Sequence, residues 1–486
     1  MKKSEGFVHT LELSLQTSMS DQKALDKYFE LSRNLYNTLL REALKRLNLM
    51  RQSKKYSLAK TKDKKVKSKM INELKEEFGF TMFDMIKFGT TLRVNEFRGV
   101  DSCTTQKLSN RAFMATEKIL YGKAKKVNFK SKGDMRSIEG STNKQGIKYR
   151  DGCLKWNKLK LKVNIRDNDY YAKEALSNRI KYCGIIWKNI RGKKKYFIQL
   201  IIDGMPPGKV DIRTGKYKGR YGNGKVGIDI GTQTIAIASD KEVKLLELAP
   251  EVVNIEKEKR VLLRKMDRSR RESNPNKFNE NGTIKKGNNQ KWVFSKNYLK
   301  IRSQLSDLQR KQTEVRKQSH YRLVNWMVGL GDEFYVEKMN YKGLQAKSKE
   351  TKVNEKTGRF CKKKRFGKSL ANKAPSTFLM ILEKKLSYWY LELNKIDTTS
   401  FKASQYNHFK DDYEKKKLSD RWNEFECGKI QRDLYSAFLI MNSRNNLKST
   451  DRDLCFKTWD NFKDLHDIEI KRLENEEKLL ASMGIK

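Results

Sequence analysis

The stretch GKVGIDIGTQTIAIAS, Gly224 to Ser239, decides how this chain reads. Val226, Ile228 and Ile230 alternate with smaller or polar residues, the period of a half-buried strand. A turn at Gly231, Thr232 and Gln233 follows, and Ile235, Ile237 and Ala238 resume the apolar run. Two strands around a turn are therefore expected. Asp229 stands in the middle of the first. A charged group in a core strand costs several kcal/mol unless it is paired or binds a metal, so Asp229 asks for a partner.

Two further acids sit inside apolar elements. Glu337 lies in EFYVEKMN, an expected strand from Glu333 to about Met339, and Asp433 opens a helix in ECGKIQRDLYSAFLIMN. Each has an ordinary explanation by itself: a turn-stabilising acid before Gly231, a strand-end ion pair, a first-turn helix acid favoured by the dipole. All three lie far apart in sequence, so only a fold can bring them together. A ribonuclease-H-like sheet does so, aiming carboxylates at one point from its first strand, a later parallel strand and a following helix. Phosphodiester hydrolysis puts negative charge on the attacking and leaving oxygens, and two Mg²⁺ ions roughly 4 Å apart stabilise both. Mg²⁺ takes carboxylate oxygens and keeps several waters. Clustered carboxylates repel one another and call for a cation. Asp229, Glu337 and Asp433 are thus the expected metal ligands and catalytic acids. Asp451 and Asp453 lie in a polar segment and are weaker rivals for the third place.

The rest of the chain points to a polyanion. Of 486 residues, 107 are Lys or Arg and 58 are Asp or Glu, a formal net charge of +49. Such a surplus repels itself on compaction, and nucleic acid offsets it. Drift toward lysine is the competing explanation, but drift usually raises Glu in parallel. The six cysteines form no CxxC pair, which argues for a reducing compartment rather than a disulfide scaffold. MKKSEGFVHTLELSLQ has no signal-peptide core, and no run of about 18 apolar residues is present. No membrane partner is expected; the expected location is the cytoplasm, with the nucleoid of a prokaryote.

A prior of about 150 residues per domain allows two to four domains. Residues 6–15 alternate as a strand, Ser20 is the expected cap of a long helix, and helical spacing continues from about Met70 to Leu120. KVNFKSK, KLKLKVNI, NRIKYCGIIWKNI and KKYFIQLIID read as short strands with basic faces. The expected layout is a multidomain α/β chain. A β-barrel (1–20 and 121–210) carries a helical insertion (21–120), and a linker (211–224) leads to the nuclease domain (225–397 and 429–486). An insert (398–428) interrupts that domain, and SNPNKFNENGTIKKGNNQ is an exposed loop within it.

GIDIGTQTIAIAS, YVEKMNYKGLQ and CGKIQRDLYSAFLI resemble the three RuvC motifs of the transposon-encoded TnpB proteins and the compact type V CRISPR effectors descended from them. LSRNLYNTLL and KSLANKAPSTFLMILEKKLSYWYLELNKIDTTSFKASQYNH also look like that family. The resemblance implies an RNA-guided DNA endonuclease with a wedge barrel, a helical recognition module and a single RuvC site. It implies Mg²⁺, with Mn²⁺ as a substitute, at Asp229, Glu337 and Asp433. It implies a guide RNA and a double-stranded target with a displaced strand, handled by a monomer or by two copies on one RNA. The guide's source, a transposon end or a CRISPR array, stays open. A guided DNA-binding protein that cuts little, such as a repressor or transposition accessory, and an unguided RuvC-type nuclease or transposase are the rival readings.

Nucleic-acid contacts are expected at Arg33, Asn37, Gln405, Tyr406 and Arg432, and at Lys362, Lys363, Lys364 and Arg365 in a basic loop that follows Glu337 and is suited to a lid. Tyr406 and Trp422 are candidates for base stacking, although such aromatics are more often core. The family usually carries a CxxC…CxxC zinc ribbon before its third motif. Here His408 and Cys427 supply only two of the four ligands zinc needs, so no zinc is expected. The insert then rests on Phe401, Tyr406, Phe409, Tyr413, Leu418 and Trp422. Gln431 and Tyr435 stand where the family usually has Asp and Asn, which puts the geometry around Asp433 in question.

Overall fold

Alternation in VHTLELS turns Leu11 and Leu13 to one side of β1 (Val8–Ser14). The computed structural model of the chain describes residues 6–210, 217–218, 221–287, 290–346, 353–355, 357–358, 367–417 and 420–485. The chain divides into two compact units, Met1–Gly208 and Lys209–Lys486. It is a mixed α/β architecture with several separate sheets.

In the first unit, α1 (Met19–Gln52) is capped by Ser18 rather than Ser20. The Ser18 hydroxyl accepts from the Asp21 amide and the Asp21 carboxylate accepts from the Ser18 amide, a capping box that satisfies two otherwise orphaned donors. Next come α2 (Lys54–Thr61), α3 (Lys64–Glu77), α4 (Met82–Asn95) and α5 (Ser102–Leu120). Leu25, Phe29, Leu35, Leu39, Ala43 and Leu47 are the buried stripe of α1. The chain continues through β2 (Ser137–Glu139), β3 (Lys148–Arg150), β4 (Cys153–Trp156), β5 (Leu159–Lys162), α6 (Tyr170–Leu176), β6 (Ile180–Ile190) and β7 (Lys193–Asp203).

No closed barrel forms from the described strands. β1, β7, β6 and β2 make one open antiparallel sheet in that order, and β3, β4 and β5 make a separate meander. A single bridge, Leu15 to Val163, joins the end of β1 to the residue after β5. Closure fails because β2 is three residues long and covers only Gly184 to Ile186 of its neighbour. KVNFKSK, expected as a strand, is unpaired in any sheet. Asn37 instead bonds both the N–H and the C=O of Lys130, which satisfies backbone groups that a ladder would otherwise take.

In the second unit, two short strands, β8 (Lys209–Val210) and β9 (Tyr217–Lys218), pair with each other. Then follow β10 (Lys225–Ile230), β11 (Thr234–Ser239), β12 (Val243–Glu247), α7 (Glu256–Glu272), α8 (Lys296–Met327), β13 (Glu333–Glu337), α9 (Tyr341–Gln345), α10 (Gly367–Lys373), α11 (Pro375–Ser387) and β14 (Leu393–Ile396). After these come α12 (Thr398–Phe401), β15 (Tyr406–Asn407), β16 (Asp412–Tyr413), β17 (Trp422–Phe425), β18 (Gly428–Gln431), α13 (Arg432–Met441) and α14 (Arg452–Glu474). Five strands form one sheet in the order β12-β11-β10-β13-β14. The first three are antiparallel, while β13 and β14 run parallel to β10 and β13 respectively.

The period-2 pattern of β10 assigns its two faces. Val226, Ile228 and Ile230 pack with Val324, Met327, Phe378 and Leu382 of α8 and α11. Ala236, Ala238, Leu245 and Tyr335, on neighbouring strands, pack instead with α13 and α14 through Leu434, Phe438 and Phe462. Each buried Val, Ile, Leu, Met or Phe among them contributes about 1.5–3 kcal/mol, so both helical layers are firmly seated. Gly227 lets α13 approach closely, since a Cβ there would stand 2.1 Å from the Ala437 carbonyl oxygen. At the sheet edge, the buried Glu469 carboxylate accepts from the Leu245 amide at 2.9 Å and pairs with Lys244 and Arg472.

The segment after α7 is mostly exposed, as expected, but it is anchored: Asn274 and Lys277 are buried, and Lys277 lies over the Trp292 ring at 4.8 Å. Asn274 holds the loop's two ends by donating to the carbonyls of Arg270 and Val293. β14 has no strand signal strong enough to see in sequence. The residues before Asp433 form β18, paired with β17, instead of continuing the helix. Among the described residues, no helix is long and apolar enough to cross a membrane.

Candidate active site

Asp229 shares the face of β10 that carries Gly227, against which α13 lies. Parallel pairing of β10 with β13 matches Ile228 to Val336, so Glu337 follows on the adjacent strand at the level of Asp229. Asp433 is in the first turn of α13. Three elements distant in sequence thus carry their acids to one end of the sheet.

Electrostatics report the convergence. The Asp229 carboxyl is pushed well above the usual carboxylate range, first by burial, then by the charge of Asp433, then by that of Glu337. Arg432 pulls partly the other way. Burial also raises Glu337, offset by the Ala403 amide. It raises Asp433 as well, offset by Arg421, Arg432 and a hydrogen bond from Gln431. Both offsets reflect stabilisation of the charged form. No ion pair to Asp229 or Glu337 occurs among the described residues, whereas Arg421 stands 3.8 Å from Asp433.

A pocket of about 150 Å³ opens over Asp229 and Asp433 but not Glu337, and is lined also by Thr232, Gln233, Arg421 and Ser482. A larger groove of about 420 Å³ between α7 and α8 contains Lys265, Arg268 and Lys300 but no convergent acids. Tyr341 feels the same charge: its buried hydroxyl has no hydrogen-bond partner among the described residues, and burial together with the Asp229 charge pushes its ionisation up.

Among the described residues, no group of three or more His, Cys, Asp or Glu side chains is placed so that it could hold a metal ion. The donor chemistry nonetheless suits a hard divalent cation. All candidate donors are carboxylate oxygens, and their mutual repulsion at Asp229 is offset only in part, by Arg432. Mg²⁺ keeps several waters and is commonly bound through one or two carboxylates plus substrate phosphates, so a closed protein cage is unnecessary.

The departures at Gln431 and Tyr435 have structural explanations. Gln431 is the N-cap of α13: its side-chain oxygen accepts from the Leu434 amide at 2.8 Å. The Tyr435 hydroxyl bonds Nδ1 of His408 at 2.7 Å. His408 is fully buried among Phe409, Phe438, Phe456 and Trp459, and burial lowers its pKa to about 4. Cys427 is half-buried and packs on the same cluster.

The other expected contact residues are scattered. Arg33 pairs with Glu30 at 2.7 Å and donates to the Lys130 carbonyl at 2.8 Å, beside Asn37. Gln405 is half-buried in a turn, its amide bonded to the Lys402 carbonyl. Tyr406 is buried with its hydroxyl on Asp411, and Trp422 donates to the Gly484 carbonyl; both are packing residues. Phe401 is fully buried with them, but Tyr413 is half exposed. Arg432 donates to the carbonyls of Lys417 and Asp420. Lys362, Lys363, Lys364 and Arg365 lie outside the described residues, as does Leu418. Arg421, Tyr341 and Ser482 went unnoticed in the sequence, because no periodicity or spacing marks a residue that reaches a site through tertiary packing alone.

No family model matches the chain, and no curated protein matches it in sequence. Among solved structures it is similar to a protein in the "Cryo-EM structure of the Cas12f1-sgRNA-target DNA complex", at 11% identity over 90% of this chain and 99% of that one, with a TM-score of 0.41. It is also similar to one in the "Cryo-EM structure of CRISPR-Cas12f Ternary Complex", at 11% identity, the same coverage and a TM-score of 0.22. Likenesses at these TM-scores carry no argument about this chain.

Proposed function

We propose that the chain is an RNA-guided DNA endonuclease whose second unit is a ribonuclease-H-like, RuvC-type nuclease domain. The carrying observation is geometric: the parallel register of β10 and β13 brings Glu337 level with Asp229, and Asp433 lines one pocket with Asp229. The strand order of the five-stranded sheet supports the domain reading. The resemblance of the three motifs to those of TnpB proteins supports guidance by RNA, and the net charge of +49 supports two polyanionic partners.

Asp229, Glu337 and Asp433 would hold divalent cations, Mg²⁺ or Mn²⁺. A cation bound there supplies positive charge against a scissile phosphate and its leaving oxygen. Arg421 orients and partly neutralises Asp433, and Gln431 fixes the start of α13 so that Asp433 keeps its direction. The surrounding apolar packing strengthens every charge interaction in the pocket.

Purified chain should carry RNA whose sequence defines a matching DNA duplex. That duplex should be cut in Mg²⁺ by the RNA-loaded protein and not after the RNA is removed. Cutting of unrelated DNA without RNA would favour an unguided nuclease; RNA-directed binding with no cutting would favour a guided repressor.

A further inference from the structure

The last turn of the chain folds back onto the candidate site. Leu479, Leu480 and Ile485 pack on the core beneath α13 and α14, and Met483 is buried there. The Met483 carbonyl accepts from the Gln431 side-chain amide at 3.1 Å, the residue that caps α13 next to Asp433. The Gly484 carbonyl accepts from Trp422 at 2.7 Å. Gly484 has φ 71° and lies so close to Arg421 that a Cβ would stand 2.3 Å from the arginine Cβ. The tail therefore braces both the helix that carries Asp433 and the arginine that faces it.

Between these braces, Ser482 lines the pocket with Asp229 and Asp433. Its hydroxyl is buried and has no hydrogen-bond partner among the described residues. A buried hydroxyl without a partner is costly, and it survives where a ligand completes it. The acids beside it repel a second acceptor of negative charge unless a cation intervenes, whereas a hydroxyl can donate to one without adding charge.

We propose that Ser482 is a further catalytic residue, whose hydroxyl donates a hydrogen bond to a non-bridging oxygen of the phosphate bound over Asp229 and Asp433, and that the segment Leu479–Ile485 positions it. This rests on the nuclease reading above. One donor to a developing oxyanion is worth about 10–100-fold in rate.

The test uses full-length, RNA-loaded protein and the matching duplex, with a single Rp or Sp phosphorothioate at the cut position. Ser482→Ala should melt at or above the wild-type temperature, keep the target Kd and cut about 10–100-fold more slowly. It should also lose a large part of the rate penalty that sulfur imposes in one diastereomer, because the contact that sulfur weakens is already gone. Ser482→Thr, which keeps a hydroxyl, should restore much of the rate. Wild-type cutting by Ser482→Ala, or slow cutting with the full sulfur penalty intact, overturns the assignment while leaving the nuclease reading in place. Absence of cutting by the wild-type chain, or cutting by Asp229→Asn, overturns the nuclease reading itself.

Discussion

Replacing Asp229 by asparagine separates the stability of the chain from its chemistry. The wild-type carboxylate is held against burial and against two like charges, Asp433 and Glu337, with only Arg432 offsetting them. Asparagine keeps the shape and removes the charge, and each remaining acid then faces one repulsion fewer. Relief of this kind at a strained site stabilises a domain by about 1–2 kcal/mol, and each kcal/mol is worth about 2–4 °C in a domain of this size. The sign with pH follows from the raised proton affinity. Native Asp229 binds its proton more tightly than the unfolded chain does, so wild-type stability falls as pH rises through the native value. The advantage of Asp229→Asn should therefore be larger at pH 8 than at pH 5. Divalent cation should reverse the ranking: at a hundred times its Kd it stabilises the wild type by about 2.7 kcal/mol, and the variant by much less. Differential scanning calorimetry at both pH values, with and without Mg²⁺ or Mn²⁺, measures all three effects, and a cleavage assay should find the variant inactive. A variant that is less stable than wild type at pH 8 without metal, or that gains as much from metal, would refute the reasoning.

Three further outcomes follow from the packing. Gly227→Ala should lower stability by about 1–3 kcal/mol in urea unfolding, because the added Cβ meets the Ala437 carbonyl and displaces α13; cleavage should fall with it, as Asp433 moves. Glu469→Ala strips the Leu245 amide, Lys244 and Arg472 of a shared buried partner and should cost about 3–5 kcal/mol; a cost below 1 kcal/mol would contradict the sheet-edge role. His408 stays neutral in the fold with its pKa lowered to about 4, so the unfolded chain binds its proton first as pH falls below about 6.5. Its contribution, about 3 kcal/mol at most, is present above that pH and is lost as pH falls toward 4. The three raised acids act in the opposite direction, so the measurement is the signed slope of stability against pH between about 4 and 6.5, which should be less positive in His408→Asn than in wild type.

Local pattern alone determined a good deal of this protein. The alternation of Val226, Ile228 and Ile230 specifies a strand and names its apolar face, because side chains on a pleated strand point to opposite sides in turn. The stripe Leu25, Phe29, Leu39 and Leu47 specifies a long helix. The three acids can be picked out because each interrupts an apolar run. Tertiary structure decided the rest. That Asp229 and Glu337 share a face depends on the parallel register of β10 and β13, a pairing across more than a hundred residues that no local signal encodes. Whether the N-terminal strands close into a barrel depended on the length of β2 and on where Lys130 finds its hydrogen bonds. Arg421 and Ser482 reach the pocket only because the chain folds back there, and a residue placed by contacts far along the chain leaves no periodic trace near itself.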